Sequence, residues 1–434
     1  MDFIKEINQS NGIVYLVGGA IRDKIINKKF NLGIKTKDYD LLVTNLPIAK
    51  LEDILYKHGK LKEVGKAFGI ITFKPFDNRF TDFDIALPRK EVSTGPGYRD
   101  FKIITDHTIS LEEDLSRRDA TINAIAYQLI NIEDLLIDKI EENRLVDYFG
   151  GLEDINNKVW RAVGDPKKRF YEDPTRILRC LRQTTNLGLI VHLNTLEALI
   201  QNADLIKNVI AVGTVRLTNE VVKMLNGKFI NEWIRFILTK RIGPLLGLNY
   251  NKSQILKICS AIDYAVEHNF SLESKVGILL LPMKEKAITW IKDFKLSSAS
   301  RFNKFNIPII HTMVKYGDKL NESHIFNPYN MRKWIVDVDS KKDLKAINSP
   351  SYYLLEICEA YRGEPINDIR ILYQKHKNII LTPKRIACSG IELIKMGFNG
   401  KKIGKIKEDI FELIIREKIE NTEKKIIEYV KLHY

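Results

Sequence analysis

The first third of the chain alternates short apolar runs of strand type with runs of helical periodicity. Residues 47–57 carry apolar positions at helical spacing behind a proline that suits a first helical turn. Strand-type runs bounded by turn residues occupy residues 13–17, 39–43, 69–73, 83–87 and 135–138. This alternation predicts a mixed α/β domain in which the helix covers one face of a sheet.

Beyond Gly150 and Gly151 the strand signal fades and the helical period dominates. Apolar residues recur every three to four positions over residues 174–187, 214–225 and 403–419. The remaining two thirds of the chain are therefore predicted to be mostly α-helical.

Charge and composition narrow the class of partner. The 434 residues include 69 Lys and Arg against 55 Asp and Glu, and the net charge of +14 favours RNA, DNA or an acidic membrane surface. No apolar run approaches the ~18 residues of a membrane span, and the first residues lack the order of a signal peptide. The four cysteines form no CxxC pair and suggest neither a zinc knuckle nor a disulfide framework. We expect a cytoplasmic protein without a membrane partner.

A glycine turn directly follows the first predicted strand. Gly18 and Gly19 stand between the apolar run 13–17 and a helix-like stretch that contains Arg22. Such a turn leaves backbone N–H groups free at a helix N-terminus, which suits a triphosphate. Gly18, Gly19 and Arg22 are therefore candidate nucleotide-binding residues.

Acidic residues follow at the second and fourth predicted strands. Residues two apart on a strand share a face, so Asp38 and Asp40 are expected to point the same way and to share divalent cations. Asp84 offers a third carboxylate, with Asp82 as its rival and a solvent-facing strand residue as the plain alternative. Oxygen ligands of this kind suit Mg²⁺, and two ions about 4 Å apart would activate a hydroxyl and stabilise leaving pyrophosphate.

A second constellation is formed by Arg118, Asp119 and Asn123, which precede or begin a predicted small apolar helix. Arginine can hold phosphate oxygens in a fork, and an aspartate can accept from ribose hydroxyls. Asn123 lies four residues after Asp119 and so falls on the same helical side. The alternative is a helix N-cap with exposed arginines.

A third constellation opens the helix predicted after Glu172. Asp173, Arg176, Arg179 and Arg182 recur every three residues and are expected to line one polar side that offers donors and acceptors to a flat ligand. An ordinary amphipathic surface helix would show the same alternation.

Taken in this order, the three constellations resemble the motifs of class II tRNA nucleotidyltransferases, the CCA-adding enzyme family that also contains bacterial poly(A) polymerases. The resemblance covers about the first 190 residues. Residues 16–23 with the paired aspartates resemble the family's metal motif, and residues 117–119 with Asn123 resemble its ribose motif. Residues 172–176 resemble its amino-acid template.

The resemblance implies that Asp38 and Asp40 bind the two metals, with Asp84 at the less uniform third acidic position. Asp147 with residues 150–165 resembles the family's hinge motif.

For the nucleotide, the resemblance implies that Arg118 and Asp119 contact the ribose and that Asp173 and Arg176 pair with base edges. A fixed set of donors and acceptors can match cytosine and adenine while leaving groups unpaired against guanine and uracil. Unpaired buried groups of this kind support discrimination of ~10⁴ or more.

The implied fold class is α+β. A mixed α/β nucleotidyltransferase head of the polymerase-β type, with a small sheet, would span residues 1–140. A helical neck with the nucleotide-selecting template (141–215), a helical body (216–330) and a helical tail that binds tRNA (331–434) would follow.

By the same resemblance the chain is a Mg²⁺-dependent CCA-adding enzyme that transfers CMP and AMP from CTP and ATP to the tRNA 3′ end and releases pyrophosphate. A poly(A) polymerase, or an enzyme that adds only CC or only A, carries the same motifs and stays open. A non-catalytic RNA-binding protein is a further alternative. The oligomeric state and the path of tRNA also stay open.

Four further features bear on this resemblance. Gln183 stands where the family usually has Phe, which leaves its effect on fidelity open. No His-Asp pair occurs, which argues against an appended phosphohydrolase domain of HD type. Residues 89–99 resemble the flexible loop used in the switch from C to A addition, or are a plain surface loop. Clustered lysines in the tail are expected to track tRNA phosphates or to form a solvated face: Lys401, Lys402, Lys405 and Lys407.

Overall fold

The structure is a computed structural model that describes residues 2–34, 39–62, 70–93, 101–136, 140–295, 310, 313–314, 327–339, 348–379 and 382–434. The chain forms two compact units, Met1–Leu248 and Asn249–Tyr434. All described strands lie in the first unit, and the described elements of the second unit are helices. The predicted α+β class is confirmed, whereas the division into head, neck, body and tail stays a prediction.

The first unit is built on a seven-stranded sheet with the strand order β3-β4-β5-β2-β1-β8-β9. Only β2 and β5 run parallel among these neighbours, so the sheet is mixed, as predicted. The strands described in this unit are β1 (Ile13–Val17), β2 (Tyr39–Thr44), β3 (Gly59–Lys62), β4 (Ile70–Pro75), β5 (Phe83–Ala86), β6 (Arg89–Ser93), β7 (Phe101–Thr105), β8 (Ile125–Leu129), β9 (Leu145–Asp147), β10 (Val159–Trp160) and β11 (Ile190–Val191).

The sheet buries apolar side chains on both faces because successive residues of a strand point to opposite sides. On one face Phe3 packs against Phe73 and Phe83, with ring centroids 5.1 and 5.8 Å apart. On the other face the pair Tyr15 and Leu42 belongs to a second buried cluster. Burying each such side chain contributes about 1.5–3 kcal/mol, which fixes the register of the central strands.

Two predictions for the head are wrong. Ile132–Leu135 forms a 3₁₀ turn where a strand was predicted to begin, and residues 137–139 lie outside the described residues. The small helix predicted after Asp119 is a 3₁₀ turn, Thr121–Asn123, followed by strand β8. The local sequence pattern favoured a helix there, but strand β8 is stabilised by its antiparallel pairing with Val14–Val17 of β1.

Part of the segment resembling the flexible loop lies in strand β6. Strands β6 and β7 pair antiparallel, so residues 89–93 belong to a hairpin, and residues 94–100 lie outside the described residues. The mobility expected for this loop therefore stays a prediction.

Helices surround the sheet and fill the rest of the first unit. The predicted helices 47–57, 174–187 and 214–225 are confirmed within about one residue at each end. The helices described in this unit are Phe3–Gln9, Gly19–Phe30, Ile48–His58, Leu111–Ser116, Gly151–Asn156, Pro166–Glu172, Thr175–Leu187, Leu193–Gln201, Ile206–Val212, Thr214–Leu225, Ile230–Thr239 and Ile242–Leu245.

The second unit is helical in its described part. Its last helices enclose a small core that includes Leu393, Ile406, Ile410 and Ile426. The helices described here are Lys252–Glu267, Leu272–Leu280, Lys286–Asp293, Pro328–Asp339, Pro350–Arg362, Asn367–His376, Gly390–Lys395, Gly400–Ile415 and Glu423–His433. Within the described residues, no helix has the length and apolar content needed to cross a bilayer.

Candidate active site

The glycine turn lies between β1 and the helix Gly19–Phe30. Gly18 has φ +72°, a conformation that residues with a Cβ rarely adopt. A Cβ at Gly18 would lie 3.0 Å from Nη1 of Arg118 and 3.5 Å from Oδ2 of Asp40. No described side chain caps this helix, so its first N–H groups remain available to an anion. The turn, Asp40 and Arg118 therefore meet at one place.

Asp40 and Asp84 lie side by side on β2 and β5. The parallel register pairs Asp40 with Asp84 and Tyr39 with Phe83, so the two carboxylates share one face and the two rings the other. Both carboxylates are exposed, and the Thr72 hydroxyl donates a 2.9 Å hydrogen bond to Oδ1 of Asp84. Paired carboxylates beside a phosphate-type turn suit Mg²⁺, which takes its other ligands from water and substrate phosphates.

The other two acidic candidates for metal binding are Asp82 and Asp38. Asp82 forms a 2.5 Å ion pair with Lys62, so its charge is already compensated. Asp38 lies outside the described residues, and its pairing with Asp40 stays a prediction. Among the residues with described positions, no group of three or more His, Cys, Asp and Glu could hold a metal ion. The register favours Asp84 over Asp82 as the neighbour of Asp40.

Asp114 was missed by the sequence analysis. Its carboxylate is fully buried and accepts hydrogen bonds from Arg117 at 2.7 and 3.1 Å, from Arg118 at 3.3 Å and from the backbone N–H of Arg89 at 3.1 Å. Burial alone would raise the pKa of Asp114, but the charges of Arg117 and Arg118 hold that pKa below its ordinary value. The spacing of three and four residues to the arginines was the available signal. Asp114 therefore fixes Arg118 beside the glycine turn.

Asp119 is the centre of a buried polar network. Its Oδ1 accepts from the N–H of Ala120 at 2.9 Å and from Asn123 at 2.7 Å, its Oδ2 accepts from Nε of Arg179 at 2.8 Å, and Nη2 of Arg179 lies 2.8 Å from the same Oδ2. Burial would raise the pKa of Asp119, but the Arg179 charge and the Asn123 hydrogen bond outweigh burial and hold that pKa far below its ordinary value. The predicted meeting of Asp119 and Asn123 is confirmed, although no helix carries them.

Gln183 completes this network. Its side-chain carbonyl accepts from Asn123 at 2.9 Å and from the indole N–H of Trp160 at 3.1 Å, and its amide donates to Oδ2 of Asp119 at 3.2 Å. Asn123 in turn accepts from Nη1 of Arg22. The glycine-turn helix, the Asp119 turn and the helix Thr175–Leu187 are therefore joined through buried amides.

The helix Thr175–Leu187 does not present the exposed polar side that its periodicity suggested. Arg176 is buried and donates to the backbone carbonyl of Arg117 at 3.0 Å and to Glu172 at 3.2 Å. Arg179 pairs with Asp119, and Arg182 pairs with Glu220. A plain amphipathic surface helix is excluded because ten of its thirteen residues are buried.

Asp173 lies directly before this helix. Its Oδ1 accepts from the N–H and the hydroxyl of Thr175 at 2.9 and 2.6 Å, and its Oδ2 lies 3.7 Å from Nη2 of Arg216. Asp173 and Arg176 therefore belong to one helix start, as predicted.

The hinge-like segment is held by Asp147. Its carboxylate accepts from the N–H groups of Phe149, Gly151 and Leu152 at 2.8 to 3.2 Å. A Cβ at Gly151 would lie 2.2 Å from the carbonyl oxygen of Thr121, so only glycine permits this approach to the turn that carries Asn123.

Comparison with known proteins finds a matching family model and similar proteins. A family model described as the poly A polymerase head domain matches residues 14–161. The CCA-adding enzyme of Lactobacillus helveticus (strain DPC 4571) is 26% identical over 438 residues, which cover 99% of this chain and 96% of that protein. The CCA-adding enzyme of Geobacillus stearothermophilus is 33% identical over 271 residues, covering 60% of this chain and 57% of that protein.

Solved structures share the fold. The Bacillus stearothermophilus CCA-adding enzyme in complex with CTP has a TM-score of 0.69 at 20% identity and covers 99% of this chain and 95% of that chain. The Thermotoga maritima CCA-adding enzyme complexed with tRNA has a TM-score of 0.63 at 21% identity, covering 100% and 94%.

The head domain and the glycine turn beside paired carboxylates define a nucleotidyltransferase. The head-domain match and the relatives aligned over nearly the whole chain support the class II CCA-adding enzyme family. Membership of a nucleotidyltransferase family indicates the use of a divalent metal, and the Asp40–Asp84 pair has the donor chemistry to bind one.

Proposed function

We propose that this protein adds CMP and AMP from CTP and ATP to the 3′ end of tRNA and releases pyrophosphate, with itself as the template. The observation that carries the proposal is the meeting of the Gly18 turn, Asp40, Asp84 and Arg118 at one place in the head. The relatives that this chain matches over nearly its whole length are CCA-adding enzymes.

Each part of the site has a task in this proposal. The N–H groups after Gly18 and the guanidinium of Arg118 bind the triphosphate, because both present positive charge or donors to phosphate oxygens. Asp40 and Asp84, with Asp38 as the resemblance implies, hold Mg²⁺. When bound, Mg²⁺ would polarise the phosphate and assist departure of pyrophosphate.

Nucleotide selection is assigned to Asp119, Asp173, Arg176 and Arg179. Asp119 already accepts from several protein donors, so a ribose hydroxyl reaches it by replacing one of them. Arg176 likewise exchanges its contact with Glu172 or with the Arg117 carbonyl when it pairs with a base edge. Such exchange favours a ligand that restores every lost hydrogen bond, which is the physical basis of selection by an amino-acid template.

The tail lysines are proposed to contact tRNA phosphates. Lys401, Lys402 and Lys405 are exposed on the helix Gly400–Ile415, and Lys407 is half-buried there. Each phosphate neutralised releases counterions and so makes the dependence of log affinity on log salt concentration more negative. Alanine at the three exposed positions should therefore weaken tRNA binding and reduce the salt slope.

Free cysteines support a cytoplasmic location, which we propose. Cys180, Cys259 and Cys388 are buried as thiols, and Cys358 is half-buried. Persistence of several thiols fits a reducing compartment.

A nucleotide addition assay tests the function. A tRNA that lacks its 3′ CCA is incubated with each NTP singly and with CTP and ATP together, and the product is sized at single-nucleotide resolution. We expect three added residues with CTP and ATP together. A long A tract, two residues only, or A addition only to tRNA ending in CC identifies one of the alternative enzymes, and no addition contradicts catalysis.

A matched pair of variants tests the acidic site. Asp84→Asn and Asp82→Asn make the same change two residues apart, one on strand β5 and one directly before it. We expect Asp84→Asn to lower the rate at least about a hundredfold, because a metal ligand supplies several kcal/mol of transition-state stabilisation. Asp82→Asn should lose less than about threefold. The reverse order would make Asp82 the third carboxylate.

A further inference from the structure

Gln183 is a buried amide at the junction of three elements. Its side chain is 1% exposed and lies on the helix Thr175–Leu187. It donates to Asp119 and accepts from Asn123 on the 3₁₀ turn and from Trp160 on β10. A buried amide with this many partners fixes its neighbours, because any movement would leave a buried donor or acceptor unpaired.

The partners of Gln183 lead directly to a proposed base-selecting side chain. Arg179 donates from Nε to Oδ2 of Asp119, and its Nη2 lies 2.8 Å from the same oxygen, so the guanidinium is anchored at that oxygen. The Arg179 side chain remains 35% exposed, which leaves Nη1 for another acceptor. The position of Arg179 thus depends on how Asp119 is held, and Gln183 and Asn123 hold it.

Resting on the proposed function, we infer that Gln183 is a positioning residue for base selection, which holds Asp119 so that Arg179 is presented to the nucleotide in one orientation. An apolar side chain at position 183 makes none of its three hydrogen bonds. Arg179 then keeps its ion pair with Asp119, but its guanidinium can change orientation. The free-energy penalty for binding a wrong base therefore becomes smaller.

The decisive variant is Gln183→Met, which nearly preserves volume and removes all three hydrogen bonds. The matched control is Thr184→Val on the same helix, because Thr184 is fully buried and, among the described residues, its hydroxyl bonds only to the Leu181 carbonyl. The readout is the ratio of kcat/KM for CTP over UTP and for ATP over GTP on the appropriate tRNA ends. A purely structural role would lower the rates with all four nucleotides alike.

We expect Gln183→Met to lower both ratios about tenfold, the effect of about one net hydrogen bond, and Thr184→Val to leave them within about twofold. Unchanged ratios in a folded Gln183→Met enzyme would overturn the inference. A wild-type protein that adds no nucleotide at all would instead overturn the proposed function.

A second variant, Gln183→Glu, keeps the two acceptor contacts and places a carboxyl 3.2 Å from Oδ2 of Asp119. Burial and the Asp119 carboxylate raise the pKa of the introduced group, whereas the neighbouring Arg179 guanidinium lowers it. When protonated, the introduced group donates as the amide does, and when ionised at higher pH it repels Asp119. We expect near wild-type ratios at low pH that fall as pH rises, whereas ratios that track the wild type at every pH would count against the inference.

Discussion

The Asp119 carboxylate can be replaced by an amide of the same shape, Asp119→Asn, with little change in packing. In the folded protein Oδ1 accepts from Ala120 and Asn123, and Oδ2 accepts from Arg179 and Gln183. Whichever way the asparagine amide is turned, its NH₂ group faces two donors and cannot accept from them. At least two hydrogen bonds are therefore lost, together with the negative charge. At about 1 kcal/mol for each hydrogen bond, and more for a buried charge left unpaired, the first unit loses about 3 kcal/mol.

The assay is thermal unfolding followed by circular dichroism. A unit of this size shifts its melting temperature by about 2–4 °C for each kcal/mol, so we expect a fall of roughly 6–12 °C. The control is Asp165→Asn, because Asp165 is exposed and caps the helix Pro166–Glu172, where asparagine caps equally well. A fall no larger than that of the control would refute the view that Asp119 holds the network together.

The same variant gives a pH signature. The pKa of Asp119 in the folded protein lies below its unfolded value of about 3.9, so the carboxylate stabilises the fold above about pH 4. That contribution is lost as the pH falls through the folded pKa. The stability difference between wild type and Asp119→Asn should therefore be full at pH 7 and narrow below about pH 4, and a constant difference would contradict the assigned cause.

Three further predictions concern the glycines and the metal. Gly151→Ala places a Cβ 2.2 Å from the Thr121 carbonyl oxygen, so we expect loss of more than about 3 kcal/mol or failure to fold, read by circular dichroism. Gly18→Ala costs about 1–3 kcal/mol of backbone strain and crowds Arg118, so CTP binding should weaken at least about tenfold in equilibrium titration; unchanged binding would remove the turn from the site. Chelation of divalent cations should abolish nucleotide addition, and readdition of Mg²⁺ should restore it; addition that persists in the chelator would exclude a metal role for Asp40.

The hydrophobic pattern of the sequence was sufficient to predict those elements whose structure is set by their own residues. The strand β1 and the helix Thr214–Leu225 end where their apolar periods end. It was insufficient for residues 125–129, because the strand there depends on the ladder with β1 that begins more than a hundred residues earlier. The register of β2 and β5, which sets Asp40 beside Asp84, likewise depends on pairing across the sheet.

The sequence predicted the types of residue at the candidate site but not the hydrogen bonds and ion pairs among them. The three-residue spacing of Arg176, Arg179 and Arg182 was visible in the sequence, but each pairs with an acid on a different element. Asp119 lies sixty residues before Arg179, and no local period carries that information. Gln183 was visible only as a departure from a family pattern, and its network appears only when the surrounding elements are in place.

The central claim is that a triphosphate binds at the Gly18 turn beside Asp40 and Asp84. A crystal structure with CTP and Mg²⁺ tests it most directly. We expect phosphate density against the first N–H groups of the helix Gly19–Phe30, with metal density between those phosphates and the two carboxylates. A nucleotide bound elsewhere, with both carboxylates free of metal, would contradict it.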